Sequence, residues 1–341
     1  MDKIRDISIT EAVIHVLDTN SDEPVLNSHI MDLNEEGYKF ILSHLERIFK
    51  DEDLKYAFFK EKSTHVKMLS QEYLNGRLDL NSISSKIAKG LFEIMSATTD
   101  IPSCDLLVIS FSTEYGPMIG ILKIDYIKQY THQVNITDNN IDVRLQSIIT
   151  GLPDKKKVQK AAFIRPIKYG QEYDLLVLDK KPNIDADGVN YFRDKLLGCK
   201  LIDSDRDYTR AFMDLVEIWT RSNLKDEALK AERLRSSVRN ALMNNEDIDI
   251  YDLAQQVISV YEPEVKKEFI AFFQGHNVEK FKIDKEYLEK RLSKLKIKVS
   301  SDIELSITGD TYGDISNFEI VDNGDGSINM VIKNIENYVE K

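Results

Sequence analysis

Two groups of residues in this 341-residue chain have the types and spacing for chemistry on phosphate. The first is Pro153-Asp154, followed after an apolar run by Asp179-Lys180-Lys181 at the end of YDLLVLDKK. Asp154 and Asp179 could hold magnesium while Lys181 activates water or stabilises charge developing on the phosphate, as in a metal-dependent nuclease with a Pro-Asp/Asp-x-Lys site. The pattern is short enough to arise by chance, and Asp179 reads equally as the residue that ends a strand in a turn. Glu172 and Asp174 add carboxylates nearby, with nothing in the sequence that places them in the same site.

The second group is basic. In KFKIDKEYLEKRLSKLKIKV, eight Lys and Arg residues outnumber three acids. Asp284 can cap a helix running through Leu288, Leu292 and Leu295, which turns Lys290, Arg291 and Lys294 toward solvent. Lys285, Lys290, Arg291, Lys294, Lys296 and Lys298 are therefore the candidate contacts to a nucleic-acid backbone, and a solvated helix face is the plainer alternative. Lys155, Lys156 and Lys157 form a second candidate, with Lys160, Arg165 and Lys168 close by; loop lysines give affinity with little base preference. They read equally well as a solvated loop that discourages edge pairing. A third set, Lys225, Lys230, Arg233, Arg235 and Arg239, is interleaved with Asp226, Glu227 and Glu232 and reads as a helix with intrahelical ion pairs.

Other chemistry lacks its residues. There is no GxxxxGK phosphate loop, no GxGxxG turn and no GxSxG elbow. The six histidines have no metal-ligand spacing, and His15 lies inside a strand run, where a structural role fits it. Asp322 to Gly326 lacks the alternating ligands of a calcium loop and reads as a turn. No cofactor is implied. A helix-turn-helix could begin at Asp252-Leu253-Ala254, but SVYEPEV is acidic where a recognition helix would enter DNA.

The elements that must position these residues fall into an α+β class. ISITEAVIHVLD alternates like a strand, and Phe40, Ile41, Leu45 and Ile48 follow helical spacing, as does the run from Ile83 to Met95. DLLVISF, MIGILKIDY, HQVNIT, VRLQSII, KAAFIRPI and YDLLVLD then succeed one another without a helix between them, which predicts a largely antiparallel N-terminal sheet with helices. Tyr115-Gly116-Pro117 would turn between two of these strands. From about Asp205 to Gly275 the apolar spacing becomes helical, with Pro263 at a helix start and Gly275 at its end. A small C-terminal basic helix and a β hairpin turning at Asp322 to Gly326 close the chain.

Composition limits the alternatives. Hydrophobic residues at 42% and charged residues at 30% are those of a globular protein, and the length fits two domains, read here as 1–203 and 204–341. No apolar run reaches the roughly 18 residues of a membrane span, and MDKIRDISITEAV lacks a signal-peptide core, so a cytoplasmic protein without a membrane partner is expected. Cys104 and Cys199 are too few for a disulfide framework or zinc site, and buried reduced thiols are expected. The net charge of −12 opposes DNA binding, but its distribution is uneven. Residues 1–150 carry 15 basic and 23 acidic side chains, 151–300 carry 29 and 26, and 301–341 carry 2 and 9. Only the middle is basic, so any phosphate binding must be local and salt-sensitive.

Several segments in order resemble the bacterial 37-kDa nucleoid-associated protein family, also called NdpA. They are AVIHVLDTNSDEPVLNSHIMDL, ISSKIAKGLFEIM, IPSCDLLVISF, MIGILKIDY, then GLPDKKKVQKAAFIRP, YDLLVLDKK and GVNYFRDKLLGCK. KIDKEYLEKRLSKLKIKV and VDNGDGSINMVIKNI complete the order. The resemblance implies a non-enzymatic protein of the nucleoid that binds DNA largely independently of sequence. The partner implied is DNA, directly or through a nucleoid protein for which this chain is an adaptor. A homodimer is a separate candidate on physical grounds, since dimerisation would double a weak phosphate patch, but no interface is legible in the sequence.

Overall fold

The computed structural model describes residues 4, 6–61, 64–98, 100–137, 140–150, 152, 157–180, 182, 184–185, 188–258, 262–299 and 301–337. Contacts divide the chain into two compact units, Met1–Ile202 and Asp203–Lys341.

In the first unit, β1 (Ser8–Leu17), β2 (Leu54–Phe59), β3 (Cys104–Thr113) and β4 (Gly116–Asp125) join a seven-stranded sheet. Of the five strands that follow, β5 (Ile127–Thr137) and β6 (Asn140–Thr150) stand apart. The sheet is completed by β7 (Lys160–Ile164), β8 (Leu175–Asp179) and β9 (Cys199–Leu201) in the order β1-β3-β4-β7-β8-β2-β9, antiparallel throughout. Both faces are covered. α1 (Glu35–Phe49) lays Ile41, Leu45 and Ile48 on Leu107, Ile109 and Phe163. The other face takes α2 (His65–Leu74), α3 (Leu80–Ser96) and a π-helix, Tyr191–Leu197, through Leu69, Ile83, Ile87, Leu91 and Phe192. Two-sided burial is why β3, β7 and β8 read as unbroken apolar runs rather than alternating ones.

HQVNIT and VRLQSII were expected in this sheet. Instead they form β5 and β6, a separate two-stranded ribbon paired from Ile127↔Thr150 to Thr137↔Asn140. Their polar and apolar residues alternate, so neither strand could be buried on both faces as the sheet requires. The turn between β3 and β4 falls at Glu114-Tyr115, one residue before the place expected.

The second unit opens with α4 (Asp205–Asn223), held by a Ser204–Asp207 capping box, and α5 (Ala228–Asn244). β10 (Asp247–Asp249), α6 (Ile250–Val257), α7 (Pro263–Gly275), β11 (Lys280–Lys282) and α8 (Lys285–Leu292) follow. Their shared core is aromatic: Trp219 meets Phe269 edge-on at 5.0 Å, Phe269 lies 4.8 Å from Phe273, and Phe212 lies 5.4 Å from Phe273 and 5.2 Å from Phe281. Two hairpins follow, β12 (Lys294–Lys298) with β13 (Glu304–Thr308), and, after the short α9 (Gly309–Gly313), β14 (Phe318–Asp322) with β15 (Ile328–Ile332). The latter is the hairpin read from Asp322 to Gly326.

His15 joins β1 to α3. Its Nδ1 accepts from Asn27 N at 3.1 Å, so the proton sits on Nε2, 2.9 Å from Ser84 Oγ, which itself donates to Asn81 O. The ring is wholly buried, and burial depresses its pKa to about 4. The unfolded chain therefore takes up this proton before the fold does, so stability is complete above pH 6.5 and declines as pH falls toward 4. Urea titrations are expected to show about 2 kcal/mol less stability at pH 5 than at pH 7.5, with His15→Gln flattening that slope.

Candidate nucleic-acid interface

The basic segment divides between two kinds of structure. Asp284 caps α8 as expected, its side chain accepting from Tyr287 N, but the helix ends at Leu292 rather than reaching Leu295. Lys294-Leu-Lys-Ile-Lys298 has a period of two, and it pairs with the equally alternating ELSIT, Lys294 opposite Thr308 and Lys298 opposite Glu304. Gly309 permits the close return of the chain, since a Cβ there would lie 2.7 Å from Leu292 O. Lys294 thus sits on a strand and not, as expected, on a helix.

This correction sharpens the patch. Lys294, Lys296 and Lys298 share one exposed face of β12 with Thr308, Ser306 and, opposite Lys298, Glu304 of β13, while Leu295, Ile297, Leu305 and Ile307 are half-buried on the other. Strand geometry spreads the three ammonium groups over about 13 Å, comparable to four nucleotide rises along one DNA strand. Among the described residues no carboxylate lies within ion-pair distance of these three lysines. Arg291 is exposed in the last turn of α8, and Lys290 is exposed but pairs with Glu286 at 3.1 Å.

Lys285 points elsewhere. Its Nζ donates to the carbonyls of Leu242 at 3.0 Å, Met243 at 2.9 Å and Asn245, closing the C-terminal end of α5. All three protons of the ammonium are used, and the helix end gains a cation.

Of the loop cluster, Lys157 is exposed, and Lys155 and Lys156 lie outside the described residues. Their neighbour Lys160 is not a surface residue, being only 5% exposed at the start of β7. In the third set, Lys230 pairs at 2.6 Å with Glu227, the residue that precedes α5, and Arg239 pairs with Glu232 at 2.7 Å within the helix. Arg235 reaches across to Glu217 of α4 at 2.9 Å, a cross-helix tie the sequence did not signal. The helix-turn-helix reading gains little, since the first turn of α7 carries Glu264 and its inner face, Phe269 and Phe273, is committed to the core.

The nuclease reading rests on Asp154 and Lys181, which lie outside the described residues, and on Asp179, which is described. The Asp179 side chain is only 5% exposed at the end of β8, where Oδ1 pairs with Lys160 Nζ. Its Oδ2 accepts from Asn190 Nδ2 at 2.8 Å and lies 3.3 Å from Arg193 Nε. Both oxygens are thus occupied by the protein's own donors.

Sequence reasoning missed the wider array around this carboxylate. Lys123, Lys160 and Asp179 are register partners across β4, β7 and β8. Lys123 is wholly buried, pairing with Asp125 and donating to Pro102 O at 3.1 Å. Lys160 Nζ also lies 5.0 Å from the Tyr191 ring centre. Asn190 caps the π-helix with Oδ1, accepting from Phe192 N and Arg193 N, while its other end holds Asp179. The Tyr191 hydroxyl is buried without a hydrogen-bond partner, and burial, then the nearby Asp125, drives its pKa upward. Burial likewise pushes both thiols, Cys104 and Cys199, up to about 12, which leaves them protonated and unreactive. The available signal was charge at the ends of the apolar runs: Lys123 and Asp125 at the end of ILKID, Lys160 at the start of KAAFI and Asp179 at the end of LLVLD.

Removing one member of a buried ion pair strands the other. Asp179→Ala is expected to cost about 3 kcal/mol or more, and adding Lys160→Met should recover a large part of it. Urea midpoints of the two single variants and the double variant measure both effects.

Comparison with known protein families matches the family described as nucleoid-associated protein YejK over residues 13–340. No curated protein matches the chain. No helix among the described residues is long and apolar enough to cross a membrane. The family match covers the seven-stranded sheet, the helical unit and both C-terminal hairpins, the same span over which the ordered segments resemble the 37-kDa family. The chain belongs to the nucleoid-associated protein YejK family.

Proposed function

We propose that this protein associates with the nucleoid in the cytoplasm by binding DNA directly, without catalysing a reaction on it and largely without regard to sequence. The supporting observation is the lysine row of β12: Lys294, Lys296 and Lys298 share one exposed face with the hydroxyl residues Ser306 and Thr308 and a single carboxylate, Glu304, opposite Lys298. Arg291 and Lys290 extend the row from α8, and Lys157 belongs to the secondary loop candidate with Lys155 and Lys156. Lysine ammonium groups and hydroxyls are backbone contacts, which position a protein on a duplex without reading bases. Lys285 is left out of this surface because its protons are committed to α5.

Fluorescence anisotropy on unrelated labelled duplexes tests this directly. Comparable binding to all of them is expected, weakening steeply with salt and leaving the DNA intact in magnesium. Replacing Lys294, Lys296 and Lys298 by Glu should weaken binding at least tenfold and flatten the dependence of log K on log salt by about 3. Lys285→Ala should instead lower stability by about 1 kcal/mol and leave DNA affinity within twofold. Absence of binding at low salt would make the protein an adaptor that reaches DNA through a partner, and magnesium-dependent cutting lost in Asp179→Ala would make it a nuclease.

A further inference from the structure

We propose that the β5–β6 ribbon is a self-association surface, on which a second copy of this chain packs the same face of its own ribbon. Eleven residues of β5 pair with eleven of β6, and among the described residues neither strand pairs with the seven-stranded sheet. Side-chain alternation makes the ribbon two-sided. Tyr130, Val134, Ile136, Ile141, Val143 and Leu145 share one face and are 62%, 46%, 77%, 72%, 59% and 76% exposed. The opposite face carries polar residues such as Thr131, Gln133, Asp142 and Arg144.

Such a face is costly to leave in water. A two-stranded ribbon has marginal stability without a surface to pack on, and contiguous apolar patches beyond a few hundred Å² mark interaction sites. Charge decides the kind of occupant. Residues 127–150 contain two basic side chains, Lys128 and Arg144, and two acidic ones, Asp138 and Asp142. A neutral ribbon on the acid-rich first 150 residues has no attraction for a phosphate backbone or an anionic membrane, so the occupant is an apolar protein face.

Symmetry favours a second copy over another protein. Val134 faces Val143 and Ile136 faces Ile141 across the ribbon, so the half of the face nearest the turn offers the same side chains from both strands, while His132 faces Leu145, Tyr130 faces Ser147 and Lys128 lies at the base of the face. The uncharged aliphatic half is complementary to itself under a two-fold rotation. Face-to-face packing of two ribbons, with sheets about 10 Å apart, would bury on the order of 1,200 Å² in total, at the threshold of a specific interface. The dimer would be of moderate affinity and dependent on concentration.

Sedimentation velocity of the full chain, from roughly 1 to 100 µM at physiological salt, tests the inference across the affinity range of an interface this size. The expected result is a monomer–dimer equilibrium that Ile136→Glu with Leu145→Glu shifts at least tenfold toward monomer. Ile136→Thr with Leu145→Thr, which keeps strand propensity, should shift it the same way, and Thr131→Glu with Gln133→Glu on the polar face should leave it unchanged. Circular dichroism establishes that each variant remains folded. A wild type that stays monomeric throughout, or a dimer indifferent to both apolar-face variants, would overturn the proposal. So would a monomeric wild type whose apolar-face variants lose DNA binding, which would assign the ribbon to DNA. The readout is oligomeric state, so it stands or falls separately from the lysine row of β12.

Discussion

The constraint on which the first unit depends is burial of one sheet on both faces. A seven-stranded sheet with α1 on one side and α2, α3 and the π-helix on the other has no wet face to which a charged side chain can turn. Lys123, Lys160 and Asp179 nonetheless enter it side by side, and the two lysines would repel one another if left alone. Desolvating ions costs several kcal/mol each, so the arrangement persists only because every charge finds a partner. Lys123 takes Asp125 and a carbonyl; Lys160 takes Asp179. Asp179 has a second oxygen to satisfy, and that requirement reaches the π-helix. Asn190 bonds the carboxylate with its amide nitrogen and the first π-helical N–H groups with its oxygen, so one side chain fixes both the charge and the helix start. The extra residue per turn of a π-helix is the kind of local irregularity that a specific side-chain position demands.

The same logic sorts the lysines of the second unit. An ammonium near a helix C-terminus is drawn to the unsatisfied carbonyls there, and Lys285 ends α5 in that way. Lys290 settles for a carboxylate one helical turn away, worth a few tenths of a kcal/mol at an exposed site. On β12 Lys294 and Lys296 have neither option. The half-buried face must hold Leu295 and Ile297, so every lysine goes outward; the cross-strand neighbours Thr308 and Ser306 carry no charge to meet the first two, and only Lys298 faces a carboxylate, Glu304. Three cations in a row with one acid among their cross-strand neighbours are a consequence of strand periodicity, which a helix over the same residues would have dispersed around its circumference.

That difference shows where the sequence was legible. Unbroken apolar runs revealed β3, β4, β7 and β8, and 3.6-residue spacing revealed α1, α3 and α4, because burial was strong and regular in each. β2 and β9 escaped notice: LKYAFF is short and mixed, and its place between β8 and β9 is set by contacts more than a hundred residues away. The end of α8 was misplaced because Leu288, Leu292 and Leu295 satisfy a helical period, while the competing period of two in Lys294–Lys298 is decided only by its partner strand ELSIT. The buried Lys160–Asp179 pair was invisible for a related reason. A lysine that opens an apolar run looks like a surface residue until the register sets a carboxylate beside it.

Net charge governs what a lysine row can do on a chain at −12. At physiological ionic strength the Debye length is about 8 Å, shorter than the roughly 13 Å spanned by Lys294 to Lys298, so a phosphate close to that face feels the row and its one acidic neighbour, Glu304, more than any acid beyond that length. At low salt the screening length grows and the acidic remainder begins to count, opposing approach from afar even as each local contact strengthens. Counterion release and long-range repulsion therefore act with opposite signs as salt is lowered, and a chain of this composition gains less from low salt than its lysine count alone would give. The affinity that remains is that of a few backbone contacts. A weak single patch becomes an effective one when two are tied together, since the second contact then forms at an effective concentration set by the linkage rather than by bulk DNA.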